Sequence, residues 1–267
     1  MEDFDLAAVV DETLTYLDVR PDGDTWVGDA PDWFGEVLFG GFVLGQATAA
    51  ATRDRPPGRR LHSLHAYFLR PVGAGRPVTY RVTPVREGRS FVLRHLQASQ
   101  DGAAVLTMHC SFGLDGEGYE YELPIGPGVP EPETLEPEVG PGPWVKADVG
   151  PSTPGPDGSY ASTSRAWFRF GATLPDDEAL HAALIAFATD MTGTGGRPLH
   201  LEGGVEGMIS LDHAAWFHRP LRADEWLYYD VHSLVNHAGR GLLRGTMHGP
   251  DRRLGASVAQ EMVLRPV

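Results

Sequence analysis

The sequence is short of the features that define several large protein classes. It holds one cysteine, Cys110, so no internal disulfide can form, and a reducing, cytoplasmic setting is expected. No run approaches the roughly 20 apolar residues of a bilayer-spanning helix, and none of the membrane spans that such a run would imply is expected. There is no block of basic residues and no interleaving of basic with aromatic ones. With a net charge of −14 the chain would repel a phosphate backbone, so nucleic acid is not an expected partner. The eleven histidines include no His-x-x-x-His pair on a helix, and no metal site or other cofactor is expected. A Gly-x-Ser-x-Gly elbow is missing too, which argues against an α/β-hydrolase. The acidic start, Met1-Glu2-Asp3-Phe4-Asp5, is the reverse of a secretory leader's basic opening.

What is present is a repeat. The stretch His62-Ser63-Leu64-His65-Ala66-Tyr67-Phe68-Leu69-Arg70-Pro71 returns, strengthened, as Asp212-His213-Ala214-Ala215-Trp216-Phe217-His218-Arg219-Pro220. Phe68 answers Phe217 and Arg70 answers Arg219 at one offset (217 − 68 = 149; 219 − 70 = 149). Downstream, Gly88-Arg89 answers Gly239-Arg240 and Asp101 answers Asp251. One long repeat means a duplicated folding unit rather than a solenoid, which needs several short periods. The expected division is a first unit over residues 1–114, a Pro/Gly/Glu-rich linker over 115–157 and a second unit over 158–267.

Each unit has the same order. Residues 1–20 read as helix or as the approach to a first strand, Asp22-Gly23-Asp24 as a turn, and Thr25 to Ala30 as a short strand. Leu38 to Thr52 is alanine-rich, with Gly41, Gly45 and Ala49 at a spacing of four, which suits a helix packed tightly on a sheet. Strands follow at about 60–70, 76–86 and 89–113, the last broken at Asp101-Gly102. In the second unit, Ser164 to Phe170 alternates as a strand. Pro175 to Met191 is the clearest helix: Asp176, Asp177 and Glu178 suit its positive end, and Leu180, Leu184, Phe187 and Met191 share a face. Gly193-Thr194-Gly195-Gly196 should stop it. Strands are then expected at about 206–219, 225–236, 240–249 and 253–265. Helix followed by antiparallel strands, twice, gives an α+β fold class.

Four segments together resemble the acyl-CoA thioesterase II (TesB-like) family. They are Leu38-Phe39-Gly40-Gly41-x-Val43-x-Gly45-Gln46-Ala47, the two copies of the repeat, and Gln260-Glu261. They stand in the family's order across nearly the whole chain outside the linker. The resemblance implies a double hot-dog, each antiparallel sheet wrapping a central helix, that hydrolyses acyl-CoA to a free acid and CoA without metal or organic cofactor. Such sheets associate edge to edge or back to back, so a homo-oligomer would be in keeping with it. In the family an Asp, a Thr or Ser, and a Gln hold the attacking water. The matching positions are Asp190, Ser210 and Gln260, with serine where threonine is the usual residue.

The residues can also be weighed alone. Asp190 ends an apolar helix, where desolvation would raise its pKa and make it a better base; it also reads as a helix-end carboxylate bonding a loop amide. Ser210 reads equally as an ordinary strand serine. Gln260 alternates with Val258 and Met262 and so should face inward, where an amide needs partners. The Gly40-Gly41 helix start is the candidate for backbone N–H groups that meet the substrate's oxyanion, or Gly41 is there for close packing. Asp212-His213 resembles a dyad, but adjacent strand residues face opposite ways, so both are read as structural. Cys110 is read as an inert core thiol. Two other functions share the fold. The run Gly196-Arg197-Pro198-Leu199-His200 is similar to the Asp-x-Asn-Pro-x-His run of hot-dog enoyl-CoA hydratases but lacks the Asp and Asn. A duplicated fold that keeps its pocket and loses its chemistry would be an acyl-CoA-binding domain.

Overall fold

Among the described residues fourteen strands form one antiparallel sheet, eleven of them alternating or apolar enough to be placed by pattern. The computed structural model describes residues 4–32, 35–53, 55–140, 142–150, 164–191 and 205–266. The first unit holds α1 (Leu6–Leu17), β1 (Arg20–Asp22), β2 (Thr25–Gly28), α2 (Gly40–Arg53), β3 (Arg60–Phe68), β4 (Val78–Glu87), β5 (Phe91–Gln100) and β6 (Ala103–Gly113). The second has β7 (Glu138–Val139), β8 (Trp144–Asp148), β9 (Ser164–Phe170), α3 (Glu178–Thr189), β10 (Val205–Ser210), β11 (Asp212–Phe217), β12 (Leu227–His237), β13 (Arg240–His248) and β14 (Leu254–Pro266). The expected helix stop at 193–196 and the hydratase-like run at 196–200 lie outside the described residues.

The sheet order is β1-β2-β4-β5-β6-β3-β11-β14-β13-β12-β9-β8-β7, with β10 pairing β14. The units therefore meet where β3 pairs β11, the two strands of the repeat. His65 pairs Ala214 there, its own counterpart at the 149-residue offset, so a pseudo-twofold axis passes through this pair. The repeated arginines do the same work in each copy. Arg70 donates from Nη1 to Ala104 O (2.6 Å) and Arg219 from Nη1 to Leu254 O (2.9 Å), tying each strand's end to the start of its neighbour. Two Gly-containing turns hold the hairpins: Asp101-Gly102 between β5 and β6, and Ala238-Gly239 between β12 and β13, all four residues at positive φ.

α2 lies against β3, β4, β5 and β6 as expected of a helix on a sheet, but the close approach at Gly41 and Gly45 is to α3. A Cβ on Gly41 would lie 2.5 Å from Phe187 O, and one on Gly45 would lie 3.1 Å from Ala183 O. Higher numbers on α2 meet lower numbers on α3, so the helices run antiparallel. With a sheet around it and a helix against it, α3 is buried on nearly every side: Ala183 through Asp190 are all buried, whereas Leu180 and Met191, assigned to its one apolar face, are only half-buried. Gln46 clasps α2 to its surroundings. Its amide donates to Tyr16 O (2.5 Å) and Asp29 O (2.8 Å) and accepts from the Tyr80 hydroxyl (2.6 Å).

β8 falls within the expected linker yet pairs β9 of the second unit, and Trp144 packs edge-on against Phe168, Phe170 and Phe187. Residues further upstream lie along the second unit. Glu122 bonds Arg219 and Arg253, Glu131 bonds Arg252, and Pro130 O accepts from the Trp167 indole. Among the described residues no helix is long and apolar enough to cross a membrane.

Candidate active site

The end of α3 meets the start of α2, and the sheet closes over that junction. Asp190 is the C-cap of α3, its carboxyl group buried. Opposite it lies the first turn of α2, whose Gly41 N–H donates to the carboxylate. Only glycine permits this approach, since a Cβ at Gly41 would stand 2.9 Å from Asp190 Cβ, and one at Gly40 would stand 3.0 Å from Oδ2. Gly41 thus has the packing role that was one of its two readings, and its N–H is directed at the carboxylate.

Ser210 and Gln260 arrive from the sheet. Ser210 closes β10 opposite Met262 of β14, and Gln260, two residues along β14, is on Met262's face. Gln260 is 1% exposed, and Val258 and Met262 beside it are equally buried, as their alternation implied. The three side chains then bond one another directly. Gln260 Nε2 donates to Asp190 Oδ1 (2.5 Å) and to Ser210 Oγ (2.6 Å), and Ser210 Oγ donates to Asp190 Oδ1 (3.2 Å). Residues 20 and 70 positions from Asp190 in sequence meet at a single carboxylate oxygen.

Two opposed effects set the charge of that carboxylate. Burial penalises the anion and is the larger; the Ser210, Gln260 and Gly41 donors favour it. The net result is a pKa raised to about 6. At neutral pH the group is ionised and far more basic than a surface aspartate. Phe39 and Phe187 pack nearby at a tilt with ring centroids 5.9 Å apart, adding apolar surface beside the charge.

His213 was assigned a structural role and lies at this site. It is fully buried, with Nε2 2.9 Å from Thr189 Oγ1 and Nδ1 3.9 Å from Asp190 Oδ1. The strand pattern hid it. Ser210 pairs Met262 and Ala214 pairs Ala259, so the register slips by one residue between them. In a regular strand, residues three apart face opposite ways; the slip turns Ser210 and His213 to the same side. Asp212 faces away and accepts the Glu261 N–H (2.8 Å). Cys110 is fully buried, and burial pushes its thiol pKa up. Among the described residues no group of three or more His, Cys, Asp or Glu is arranged to hold a metal ion.

Comparison with known proteins agrees with this architecture. The family description "Acyl-CoA thioesterase N-terminal domain" matches residues 30–113, and "Acyl-CoA thioesterase C-terminal domain" matches residues 127–264. The chain is 30% identical over 266 residues to acyl-CoA thioesterase 2 of Haemophilus influenzae, covering 89% of this chain and 91% of that one. It is likewise 30% identical over 259 residues to human acyl-coenzyme A thioesterase 8, covering 85% and 80%. The crystal structure of acyl-CoA thioesterase II TesB2 from Mycobacterium marinum superposes with a TM-score of 0.83 at 33% identity, covering 96% of this chain and 98% of that one.

Proposed function

This chain belongs to the acyl-CoA thioesterase II family and hydrolyses acyl-CoA thioesters, and from that premise we propose that Asp190, Ser210 and Gln260 activate the water. The observation that carries the assignment is the convergence of the three side chains at Asp190 Oδ1, beside the positive end of α2. Asp190 is the base. Water held by the carboxylate and the Ser210 hydroxyl, both of which the Gln260 amide orients, attacks the thioester carbonyl carbon as Asp190 takes its proton. Negative charge passes from the carboxylate to the carbonyl oxygen, and the start of α2, Gly40-Gly41, beside Asp190, supplies backbone N–H groups to meet it. The tetrahedral intermediate collapses with cleavage of the C–S bond. The proton on Asp190 goes to the departing sulfur, giving CoA thiol and the free acid. No step needs a metal or a redox group.

Serine in place of threonine keeps the hydroxyl and removes the methyl that limits its rotamers. Here the amide of Gln260 at 2.6 Å fixes the serine oxygen instead. The single buried cysteine accords with a reducing compartment, and we place the reaction in the cytoplasm, in fatty acyl metabolism. The test is thiol release from acyl-CoAs of acetyl to palmitoyl length by wild type, Asp190→Asn and Gln260→Ala. Loss of most turnover in both variants, with the fold retained, is expected. Unchanged turnover in Asp190→Asn would remove the base from the mechanism, and binding without thiol release by the wild type would make the protein an acyl-CoA-binding domain.

A further inference from the structure

One buried polar atom at the site is not accounted for by the bonds among the three proposed catalytic groups. His213 Nδ1 is enclosed without a full hydrogen bond, 3.9 Å from Asp190 Oδ1 and beside the Gln260 amide. Burial holds the imidazole pKa down to about 4, with the Gln260 amide acting the other way, so the ring is neutral and has one proton to place.

The neighbours decide where that proton goes. Thr189 has one hydroxyl proton and two acceptors in reach, Ala186 O at 2.8 Å and His213 Nε2 at 2.9 Å. Were the ring proton on Nε2, Nδ1 would turn a lone pair toward an ionised carboxylate in a dry interior, which is repulsive. With the proton on Nδ1, an N–H dipole faces the anion and the Thr189 hydroxyl donates to Nε2. The same choice settles the sense of the Gln260 amide. Its Nε2 serves Asp190 and Ser210, so its carbonyl oxygen is turned to the other side. An N–H on Nδ1 favours that sense; a lone pair there would favour the flipped amide, with its oxygen against the carboxylate.

The geometry points to His213 as a positioning residue, held by Thr189 as the neutral Nδ1–H tautomer, that fixes the sense of the Gln260 amide and aims an N–H at Asp190. This rests on the reading of Asp190, Ser210 and Gln260 as the catalytic groups. It also gives Thr189 a part, because the last residue of α3 orients the ring while its neighbour supplies the base.

Two measurements test it. Nitrogen-15 NMR of wild-type protein labelled in its histidine rings, with His213 assigned by its loss in His213→Asn, should show a protonated Nδ1 and an unprotonated Nε2. In thiol release, His213→Leu should lower kcat by about ten- to a hundredfold, the scale on which a misplaced catalytic group costs rate, with KM little changed. Its acid limb should move to higher pH, because the N–H that favoured the anion is gone. His213→Asn, whose amide nitrogen can stand where Nδ1–H stood, should recover most of kcat and return the limb. A ring proton on Nε2 overturns the assignment, and so does a folded His213→Leu with wild-type kcat and limb, or an Asn variant no better than the Leu. If the Leu variant fails to fold, the ring-nitrogen spectrum of the wild type decides alone. Retained turnover in Asp190→Asn would sink the catalytic reading and leave the tautomer result standing, so the two failures are distinguishable.

Discussion

Asp190→Asn should abolish turnover and, at neutral pH, make the protein more stable relative to wild type than it is in acid. The carboxyl group is buried, and its pKa rises from 3.8 to about 6. A raised folded pKa favours the native state fully below the unfolded value, and that contribution is lost as pH rises through the folded one. At pH 8 the wild type therefore carries a buried anion, disfavoured by roughly 3 kcal/mol relative to low pH at about 1.4 kcal/mol per unit. Asparagine is isosteric and has no charge to bury. It also loses a partner, since its NH2 cannot accept from all of Gly41, Ser210 and Gln260, which costs about 1–3 kcal/mol. That loss depends little on pH, so the informative quantity is the change in the stability difference between pH 4.5 and pH 8. Most of the titration lies in that window, and the difference should move by about 2 kcal/mol in favour of Asn as pH rises. In a chain of this size that is on the order of 5 °C in Tm. Denaturant melts of both proteins at the two pH values measure it. A stability difference that is flat with pH, or that moves against Asn as pH rises, would refute the reasoning that burial dominates at Asp190.

Three further outcomes follow from the same geometry. Because Asp190 acts as base only when ionised and its pKa is about 6, kcat/KM should fall about tenfold per pH unit well below that value and level off above it; an acid limb near pH 4 would contradict it. Gly41→Ala sets a methyl 2.5 Å from Phe187 O and should destabilise by about 1–3 kcal/mol or more while displacing Asp190, so turnover falls further than stability explains. Gln46→Leu leaves the Tyr80 hydroxyl and the Tyr16 and Asp29 carbonyls without their amide and should cost at least about 2 kcal/mol in a urea melt; kcat, measured well below the unfolding midpoint, should change little.

How far the sequence could be read differs by element, for physical reasons. Strands with one apolar face declare themselves. The expected 76–86 and 240–249 became Val78–Glu87 and Arg240–His248, because alternation and the flanking turns set both limits. The site trio was legible only through its resemblance to a family, since each residue alone had an ordinary structural reading. The spacing of Gly41, Gly45 and Ala49 showed that something comes close to α2 but not what, for a helix and a sheet make the same demand on side-chain size. Trp144–Asp148 was missed as a strand within a Pro- and Gly-rich stretch because five residues carry too little periodicity to stand out. His213 was missed as a site residue because a one-residue slip in pairing is a property of two strands, and neither strand's own sequence records it.

The duplication explains why the reactive groups were harder to find than the scaffold. Antiparallel central helices make two similar junctions: the end of α3 with the start of α2, and the end of α2 with the start of α3. At the first, the α2 N-terminus donates its Gly41 N–H to Asp190, a carboxylate from the opposite helix. At the second, Asp177 of α3 itself accepts the N–H groups of Ala179 and Leu180, and Thr52 at the end of α2 shares a cavity wall with Glu178 and Ala179. The strands diverge in the same way. The 149-residue offset sets Leu61 where the second unit has Ser210. The neighbouring strands are offset by 150, since Ala104 and Leu254 accept from the paired arginines (254 − 104 = 150), and this sets Cys110 where the second unit has Gln260. A leucine and a buried thiol can neither hold water nor orient an amide. Phe68 and Phe217, or Arg70 and Arg219, recur because both copies need the same packing and strand ends. The chemistry sits where the copies stopped agreeing, so a search for what repeats leads to the frame, and a search for what one copy lacks leads to Asp190, Ser210 and Gln260.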